Sequence, residues 1–417
     1  MQDSLMTPLV NDESTNGLVF DAYIRRPTVN SRAADSDRAE GMSDQDQQFG
    51  AVAATDNKTE IPQSPYDVGN TLSVILHKDS PITADVKILE LHGPSTYSTV
   101  LSVSVPGRLL GSTEPSVRAI LKICDRRYAE GLREEYKVGP WSLEKERSYA
   151  DSLASGRAAE FMWILDTDDD VETPAEPWDE AQNEVLIQSW CNDLCNDETR
   201  AYECLESLQG QQIPRFLSKV TVSRNPFAQV EGCGVDDNAF DTRGVLIEYI
   251  PGPSLEDLAE HVPPEHWQYC VDEAVQIVRT YAILPFLNKD VKIRNILVSP
   301  AATGWHHARI VMIDFGLCQF RNPDESDAEW GFAKWFQDEE GAIGVVMRSR
   351  LKGRGPEITY TPSRRWHEYS DNEATAKMIE GAVSKIISPE PARAILNWKL
   401  GLFVQVKVRS LVALLAP

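Results

Sequence analysis

The sequence predicts an α+β fold with two lobes, a small antiparallel β-rich N-terminal lobe followed by a larger α-helical C-terminal lobe. Between residues 72 and 124, short runs of alternating apolar and polar residues are separated by turn residues, which is typical of antiparallel strands. After Pro251-Gly252-Pro253 the apolar residues recur at helical spacing, from Trp267 to Tyr281. Strands that precede helices in this order favour two packed parts.

The apolar patterns give an expected position for each element. Strands are predicted at 86–91, 99–105, 117–124, 216–222, 245–250, 295–298 and 309–313, and order is expected to begin near Leu72 with the short apolar run 72–76. An acidic insertion at about 125–197 interrupts them; within it, residues 166–180 are predicted to be a loop, and a helix is predicted from about Asp197. Pro263-Pro264 is predicted to open a helix with one apolar stripe, and 372–387 is predicted to be an amphipathic helix.

These patterns also predict the domain boundaries. Residues 1–66 are rich in Asp, Ser, Asn, Gln and Gly with little apolar periodicity, and we expect them to be mostly disordered. The remaining boundaries predict an N-lobe over 67–250, a C-lobe over 251–362 and a helical tail over 363–417.

The net charge of the chain and the spacing of its cysteines narrow the classes of binding partner and the cellular compartment to be expected. The chain has 64 acidic and 41 basic residues, a net charge of -23, which disfavours nucleic acid and anionic membranes as partners. No signal peptide and no apolar run of about 18 residues is recognisable, which predicts a cytoplasmic or nuclear protein. The seven cysteines include no pair of Cys-x-x-Cys motifs, and we expect reduced thiols.

Two motifs carry the chemistry of the sequence. The first is Asn288-Lys289-Asp290-Val291-Lys292-Ile293-Arg294-Asn295, followed at once by Ile-Leu-Val. The second is Ile313-Asp314-Phe315-Gly316. Asn295 lies five residues after Asp290, and two predicted strands separate it from Asp314.

In their order and spacing these motifs resemble the signature of the protein-kinase-like superfamily, and are most similar to fungal kinase-like proteins and aminoglycoside phosphotransferase-type kinases. The resemblance covers about residues 86–345. It implies binding of ATP and magnesium, with Asn295 and Asp314 as the metal ligands, since amide and carboxylate oxygens are ligands that magnesium prefers. It also implies that Asp290 orients the acceptor hydroxyl and that Lys292 contacts the γ-phosphate. The predicted function is therefore an ATP- and Mg²⁺-dependent phosphotransferase whose acceptor is a hydroxyl on an unknown protein or small molecule.

The resemblance extends less completely to the N-terminal part. Lys122, in Ala-Ile-Leu-Lys, resembles the lysine that contacts the α- and β-phosphates, and Lys87 on an earlier strand is the alternative. Glu198 is the predicted helix glutamate that pairs with this lysine, and Glu203 is the alternative.

Two further segments are predicted to contact the nucleotide. Gly93-Pro94-Ser95-Thr96-Tyr97-Ser98 lies in the hairpin where a glycine loop would be, with Gly93 and Ser95 as predicted cofactor-binding residues. Glu248-Tyr249-Ile250 resembles the hinge that meets adenine, which makes Glu248 and Ile250 predicted contacts as well.

Several departures from the superfamily pattern favour a second hypothesis. Asn288 stands where a histidine is usual, the turn after residue 92 has one glycine, and no Ala-Pro-Glu follows Asp314 at the usual distance. The alternative is therefore a pseudokinase or scaffold that binds nucleotide without transferring phosphate. The sequence leaves the acceptor open, and the acidic insertion is compatible either with a cationic acceptor, such as an amino sugar, an amine or a basic protein, or with a solvated loop that contacts no acceptor.

Overall fold

The structure, a computed structural model, describes residues 64–167, 178–222 and 240–369. These residues belong to one compact unit that begins at Ser64. The predicted disorder of 1–66 therefore falls almost wholly outside the described residues. The predicted helix at 372–387 lies outside them as well, as does the tail.

Six strands form a closed antiparallel barrel in the order β1-β2-β3-β4-β6-β5. Their bounds are Thr71–His77 (β1), Pro81–Leu91 (β2), Thr99–Pro106 (β3), Ser116–Cys124 (β4), Phe216–Val222 (β5) and Thr242–Glu248 (β6). Strand β1 pairs with β5, with Val74 opposite Val222, and this pairing closes the barrel. Alternate residues fill the interior because strand side chains point to opposite faces. The five barrel strands that the sequence predicts are confirmed, with ends that differ by a few residues, and β1 coincides with the short apolar run at 72–76.

Helices precede and follow the last two barrel strands. They are α1 (Glu130–Glu135), α2 (Leu143–Ala154), α3 (Arg157–Thr167), α4 (Glu180–Cys204), α5 (Leu258–His261), α6 (Trp267–Tyr281), α7 (Asp327–Gln337) and α8 (Gly341–Leu351). Helix α6 follows a 3₁₀ turn at Pro264–His266, and its predicted apolar stripe is buried, which confirms that prediction.

The predicted start of a helix near Asp197 was wrong. Helix α4 begins at Glu180, where the Asp179 carboxylate accepts the Gln182 N–H and the Gln182 side chain accepts the Asp179 N–H, both at 2.8 Å. This capping box satisfies two donors that the helix end leaves free. The buried face of its first half is mostly apolar and includes Val185, Ile187 and Trp190 together with the charged Glu184. The apolar spacing that indicates this half of the helix is therefore present in the sequence, and the acidic residues before it were given too much weight. Of the predicted loop at 166–180, residues 168–177 lie outside the described ones.

The predicted division into a small β-rich lobe and a large α-helical C-terminal lobe was also wrong. The described residues form a closed six-stranded antiparallel barrel accompanied by few helices. The longest helix, α4, precedes β5 in the chain and packs against β4 and β6. Alternation of apolar residues predicts individual strands, but it says nothing about the β1–β5 pairing that closes the sheet.

After the barrel, two short antiparallel pairs bring the chemical motifs together. They are β7 (Phe286–Asn288) with β10 (Cys318–Phe320), and β8 (Ile296–Ala301) with β9 (Gly304–Met312). The predicted strands at 295–298 and 309–313 are thus confirmed. Ile296 lies opposite Met312, and the Ile313 N–H donates to the Asn295 carbonyl at 2.8 Å. The hairpin therefore places Asn295 beside the residue that precedes Asp314.

A buried network of charged side chains joins β4 to the helices that follow it. Glu184 of α4, whose side chain is fully buried, accepts hydrogen bonds from both Arg126 and Arg133, and Arg133 donates to it twice at 2.8 Å. Arg126 also donates to Glu146 of α2. Each charge is paired and hydrogen-bonded, which is the condition for tolerating charge in a core.

Candidate functional site

Lys122 lies between two carboxylates that come from distant parts of the chain. Its Nζ is 2.6 Å from Asp314 Oδ1 and 2.7 Å from Glu198 Oε2. Strand β4 carries the lysine, α4 carries Glu198, and Asp314 follows β9. Within the described residues, Glu198 Oε1 is buried without a hydrogen-bond partner, so Lys122 provides the ion pair for this carboxylate.

The three charges set each other's protonation. Burial opposes the ammonium form of Lys122, but attraction to Asp314 and Glu198 outweighs it and holds the pKa of Lys122 well above its usual value. Burial alone would raise the pKa of Asp314, yet Lys122 keeps it below the usual range. For Glu198, burial dominates and raises the pKa. Lys122 and Asp314 therefore form a stably charged pair at neutral pH.

Asp314 is held in an uncommon backbone conformation. Its φ of 69° lies in the left-handed region, which costs a non-glycine residue about 1 kcal/mol or more. The next residue, Phe315, is fully buried and packs edge-to-face on Tyr202 of α4, with ring centroids 5.5 Å apart. The buried aromatic side chain thus fixes the turn that directs the Asp314 carboxylate toward Lys122.

Asp290 is oriented by three neighbours from its own loop. The Asn295 side-chain amide donates to Asp290 Oδ2 at 3.0 Å and also to the Asp290 carbonyl at 3.0 Å. Lys292 Nζ forms an ion pair with Asp290 Oδ1. The Asp290 N–H donates to Asn288 Oδ1 at 2.8 Å, so Asn288 holds the backbone from which the Asp290 side chain projects.

A buried ion pair between Lys334 and Glu339 contacts the start of this loop at Asn288. Glu339 accepts the Asn288 N–H on Oε1 at 2.9 Å and the Lys334 ammonium on Oε2 at 2.9 Å. The Lys334 side chain has no exposed surface. Because an unpaired charge there would be costly, the pair fixes the end of β7 from which Asp290 projects.

The site opens into a cavity of about 420 Å³. It is lined by groups from the β2–β3 turn, from β4 and α1, and from the two motif loops, among them Tyr97, Lys122, Glu135, Asp290, Lys292 and Asp314. The turn is fastened to α1, since the Gly131 N–H donates to the Thr96 carbonyl at 2.8 Å. The Tyr97 hydroxyl also donates to Glu135 Oε2 at 2.8 Å. The cavity is therefore walled by charged groups and covered by the turn.

The distances in the structure decide between the alternatives that the sequence left open for the glutamate and for the lysine. Glu198 contacts Lys122, whereas Glu203 is 62% exposed and pairs with Lys219 at 3.2 Å. Lys87 lies on an exposed face of β2, and it does not line the cavity. Lys122 and Glu198 are therefore the residues that the structure joins to Asp314.

Five of the six predicted cofactor-binding residues do not line this cavity, and neither does the predicted metal ligand Asn295. One of the five is Glu198, which is buried and pairs with Lys122, a residue that does line it.

The other four have roles in the fold. Gly93 is exposed with φ of 65° and serves the turn, and Ser95 hydrogen-bonds Thr99 at 2.9 Å. Glu248 pairs with Arg309 of β9 at 2.9 Å, and Ile250 is buried. The turn next to Gly93 nevertheless contributes Thr96, Tyr97 and Ser98 to the cavity.

The sequence did not single out several residues that the cavity contains. Tyr97 and Glu135 form its cover, and Cys124 lies in its wall. The position of Cys124 beside Lys122 could have been predicted from the sequence, because residues two apart in a strand share a face. No sequence pattern predicted that Glu135 contacts the cavity, since only the fold places α1 next to the β2–β3 hairpin.

The residues present fit a magnesium ion. Both hydrogen bonds of the Asn295 side chain use its nitrogen, which leaves the amide oxygen as an acceptor for a cation. The Asp314 side chain keeps 41% of its surface exposed. In the described ranges no group of three or more His, Cys, Asp or Glu forms a metal site by itself. Phosphate oxygens would therefore complete the coordination.

Lys289, next to Asp290, makes the stability of this loop dependent on pH. Burial lowers its pKa to about 8, despite nearby Asp197. Between pH 8 and the unfolded value of 10.5 the unfolded chain binds more protons, so stability rises with pH, by up to about 1.4 kcal/mol per unit. Relative to Lys289→Met, the wild type should therefore gain stability from pH 7.5 to 10 in urea unfolding. An unchanged difference between the two proteins would contradict this.

Comparisons with known proteins leave the family open. No family model matches the chain, and no curated protein matches it. Among the described residues, no helix combines the length and apolar character needed to cross a membrane. The function is therefore inferred from the geometry of the site and from its two motifs.

Proposed function

We propose that this protein is an ATP- and Mg²⁺-dependent phosphotransferase, with the motif chemistry of the protein-kinase-like superfamily and a hydroxyl group as acceptor. The observation that carries the proposal is the convergence at Lys122. The strand lysine is paired at 2.7 Å with the helix glutamate Glu198 and at 2.6 Å with Asp314 of Asp314-Phe315-Gly316, and both Lys122 and Asp314 line one cavity. Phosphoryl transfer depends on positioning and on charge stabilisation, and this arrangement supplies both.

Lys122 is assigned to the phosphates of the nucleotide. Its ammonium is charged, only 12% exposed, and directed into the cavity by Glu198 and Asp314. A fixed ammonium in a partly desolvated wall attracts phosphate oxygens more strongly than a mobile surface lysine.

Asp290 is assigned to the acceptor hydroxyl. It lines the same cavity as Lys122, and its carboxylate is oriented by Asn295 and Lys292. A carboxylate in this position accepts the hydroxyl proton as the oxygen attacks phosphorus. Lys292 is assigned to the transferred phosphate, because it pairs with Asp290 and faces the same space.

Asn295 and Asp314 would hold the magnesium ion through an amide oxygen and a carboxylate. When bound, the ion neutralises charge on the β- and γ-phosphates. The chain's own contribution is to keep both ligands close, through the β8–β9 pairing that joins Asn295 to Ile313.

Replacing Lys122 with methionine tests the proposal, with Lys87→Met as the matched control. Lys122→Met should weaken binding of magnesium–ATP by about tenfold or more, which corresponds to about 1.4 kcal/mol, since it removes a charged contact to phosphate. Lys87 is exposed on β2 and outside the cavity, so its variant should bind as the wild type does. Calorimetry with magnesium–ATP provides the measurement, and circular dichroism checks the fold of both variants.

The acceptor is identified by a separate experiment. Release of ADP is followed across peptides, amino sugars, choline-like amines and sugars, with the wild type and the Lys122→Met variant. A substrate-dependent release that Lys122→Met abolishes supports the proposal. Absence of magnesium–ATP binding in the wild type would exclude it.

A nucleotide-binding protein without transfer is the second candidate. The observation that favours it is the contact of the β2–β3 turn with α1, through Thr96 and Tyr97, which covers the cavity beside Asp290. Binding of magnesium–ATP without ADP release from any acceptor would support this candidate over the enzyme.

A further inference from the structure

The side chains that follow Asp290 alternate between the cavity and the core. Asp290, Lys292 and Arg294 line the cavity. Val291 and Ile293, which lie between them in the chain, are buried. The backbone of Lys292 is extended, with φ of -142° and ψ of 148°, and an extended residue directs its side chain away from those of its two neighbours. This loop therefore presents one carboxylate and two cations, at every second residue, to the same space.

Arg294 differs from the other cations of the cavity because its charge has no partner. Lys122 lies between two carboxylates, and Lys292 forms an ion pair with Asp290. Among the described residues, the exposed side chain of Arg294 makes no hydrogen bond and no ion pair. Its guanidinium shares a cavity with the carboxylate that is assigned to the acceptor hydroxyl, and it is available to a second molecule.

A guanidinium group selects its ligands by charge and by shape. It is planar, it stays charged at any physiological pH, and its fork of donors matches the two oxygens of a carboxylate or a phosphate. Asp290 and Arg294 are four residues apart, which places their Cα atoms within about 14 Å of each other. One small molecule can therefore offer an anionic group to Arg294 and a hydroxyl to Asp290. Lys292 offsets the charge of Asp290 that such a molecule would meet.

The cavity also contains two acidic side chains from α1, which would favour a cation instead. Glu135 accepts the Tyr97 hydroxyl at 2.8 Å, so its carboxylate is already used by the cover of the cavity. Glu134 is exposed and lines the cavity too. Arg294 carries the stronger argument, because it belongs to the same short loop as Asp290, whereas α1 belongs to another part of the chain.

We propose that the acceptor is a small hydroxyl compound that carries a carboxylate or a phosphate, and that Arg294 binds this anionic group and so determines the specificity. The inference rests on the proposed phosphotransferase function and names the class of acceptor which that function leaves open. A cavity of about 420 Å³, covered by the β2–β3 turn, favours a small compound over a segment of protein.

Two series of compounds that differ chiefly in one charged group test the class of acceptor. The first contains glycerol 3-phosphate, glycerate, glycerol and 3-amino-1,2-propanediol, and the second contains glucose 6-phosphate, glucuronate, glucose and glucosamine. Calorimetry with the full chain, saturated with magnesium–ADP, measures binding without transfer, and ADP release from magnesium–ATP gives kcat and KM. We expect an anionic member of at least one series to bind about tenfold or more tightly than its neutral counterpart. Its phosphate and carboxylate forms then show which anion is preferred.

Substitutions of Arg294 test the residue. Arg294→Met should raise the KM for the anionic compound by about tenfold or more, while kcat and the KM for magnesium–ATP change less than about threefold, because the contact is remote from the transferred phosphate. Arg294→Lys should restore only part of the affinity, since an ammonium lacks the fork of donors. Arg108→Met, at an exposed arginine in the turn after β3 and outside the cavity, is the matched control and should behave as the wild type.

Several outcomes would overturn the inference and leave the phosphotransferase proposal standing. They are a preference for the amine of each series that Glu134→Gln removes, no binding of any anionic member, anion binding that survives Arg294→Met, and weaker magnesium–ATP binding in that variant. Faster transfer to an acidic serine peptide than to either series would overturn the small-molecule class. Failure of the wild type to bind magnesium–ATP would instead exclude the proposed function itself, and the inference with it.

Discussion

Replacement of Asp290 by asparagine is expected to lower the rate of phosphoryl transfer by about 10²–10⁴-fold, the usual contribution of a positioned proton acceptor. The substitution keeps the size of the side chain and removes its capacity to take a proton from the acceptor hydroxyl. It also removes the negative partner of Lys292. Steady-state release of ADP with the acceptor found in the substrate screen provides the measurement.

Binding of magnesium–ATP should change little in the same variant. Asp290 is assigned to the acceptor, whereas Lys122, Asn295 and Asp314 are assigned to the nucleotide and its metal. Asp324→Asn, at an exposed aspartate after β10, is the matched control and should keep full activity. If Asp290→Asn retains more than a tenth of the activity, its role as proton acceptor is wrong.

The second large effect concerns stability. Glu184→Gln is expected to lower the free energy of unfolding by about 3–5 kcal/mol, the usual loss when one partner of a buried ion pair is removed. Glu184 has no exposed side-chain surface, and its two partners, Arg126 and Arg133, are 5% and 4% exposed. The substitution leaves two guanidinium groups buried with one carboxylate, Glu146, still close to Arg126.

Urea unfolding measures this effect, with Glu203→Gln as the control on the same helix. Glu203 is 62% exposed, so loss of its pair with Lys219 should cost no more than about 1 kcal/mol. Comparable losses for the two variants would contradict the importance of the buried network.

The difference between wild type and Glu184→Gln should also depend on pH. Burial alone would raise the pKa of Glu184, but Arg133 and Arg126 hold it below the usual 4.5. The stabilisation is therefore fully present above about pH 4.5 and is lost as the pH falls through the lower pKa of the folded state. The unfolding curves of the two proteins should therefore lie far apart at pH 7 and approach each other as the pH is lowered to 3.

The alternation and spacing of residues predicted much of the site. Lys122 was recognised because a strand pattern surrounds it, and Asp290, Asn295 and Asp314 because two strands separate their loops. The β8–β9 hairpin is local in sequence, so its pairing follows from pattern and distance along the chain. The positioning role of Asn288 did not follow, since it depends on Glu339 and Lys334 from a distant segment.

The choice between Glu198 and Glu203 shows why the other contacts of the site could not be predicted without the tertiary structure. Both residues lie on α4, but five residues along a helix turn the side chain to a different face. Which face meets β4 depends on how α4 docks, and the early part of α4 was not predicted. The cover of the cavity was missed for the same reason, since Tyr97 and Glu135 meet only when α1 packs under the hairpin.

Five of the six barrel strands, the helix α6 and the contact between Asn295 and Ile313 followed from the sequence, because they depend on residue period and on short-range pairing. The fold was needed for the barrel closure through β1 and β5, for the position of α4 before the last two barrel strands, and for the pairing of Glu198 with Lys122. Those contacts join residues far apart in the chain. Their free energy comes from burial and from paired charges, which a local pattern does not encode.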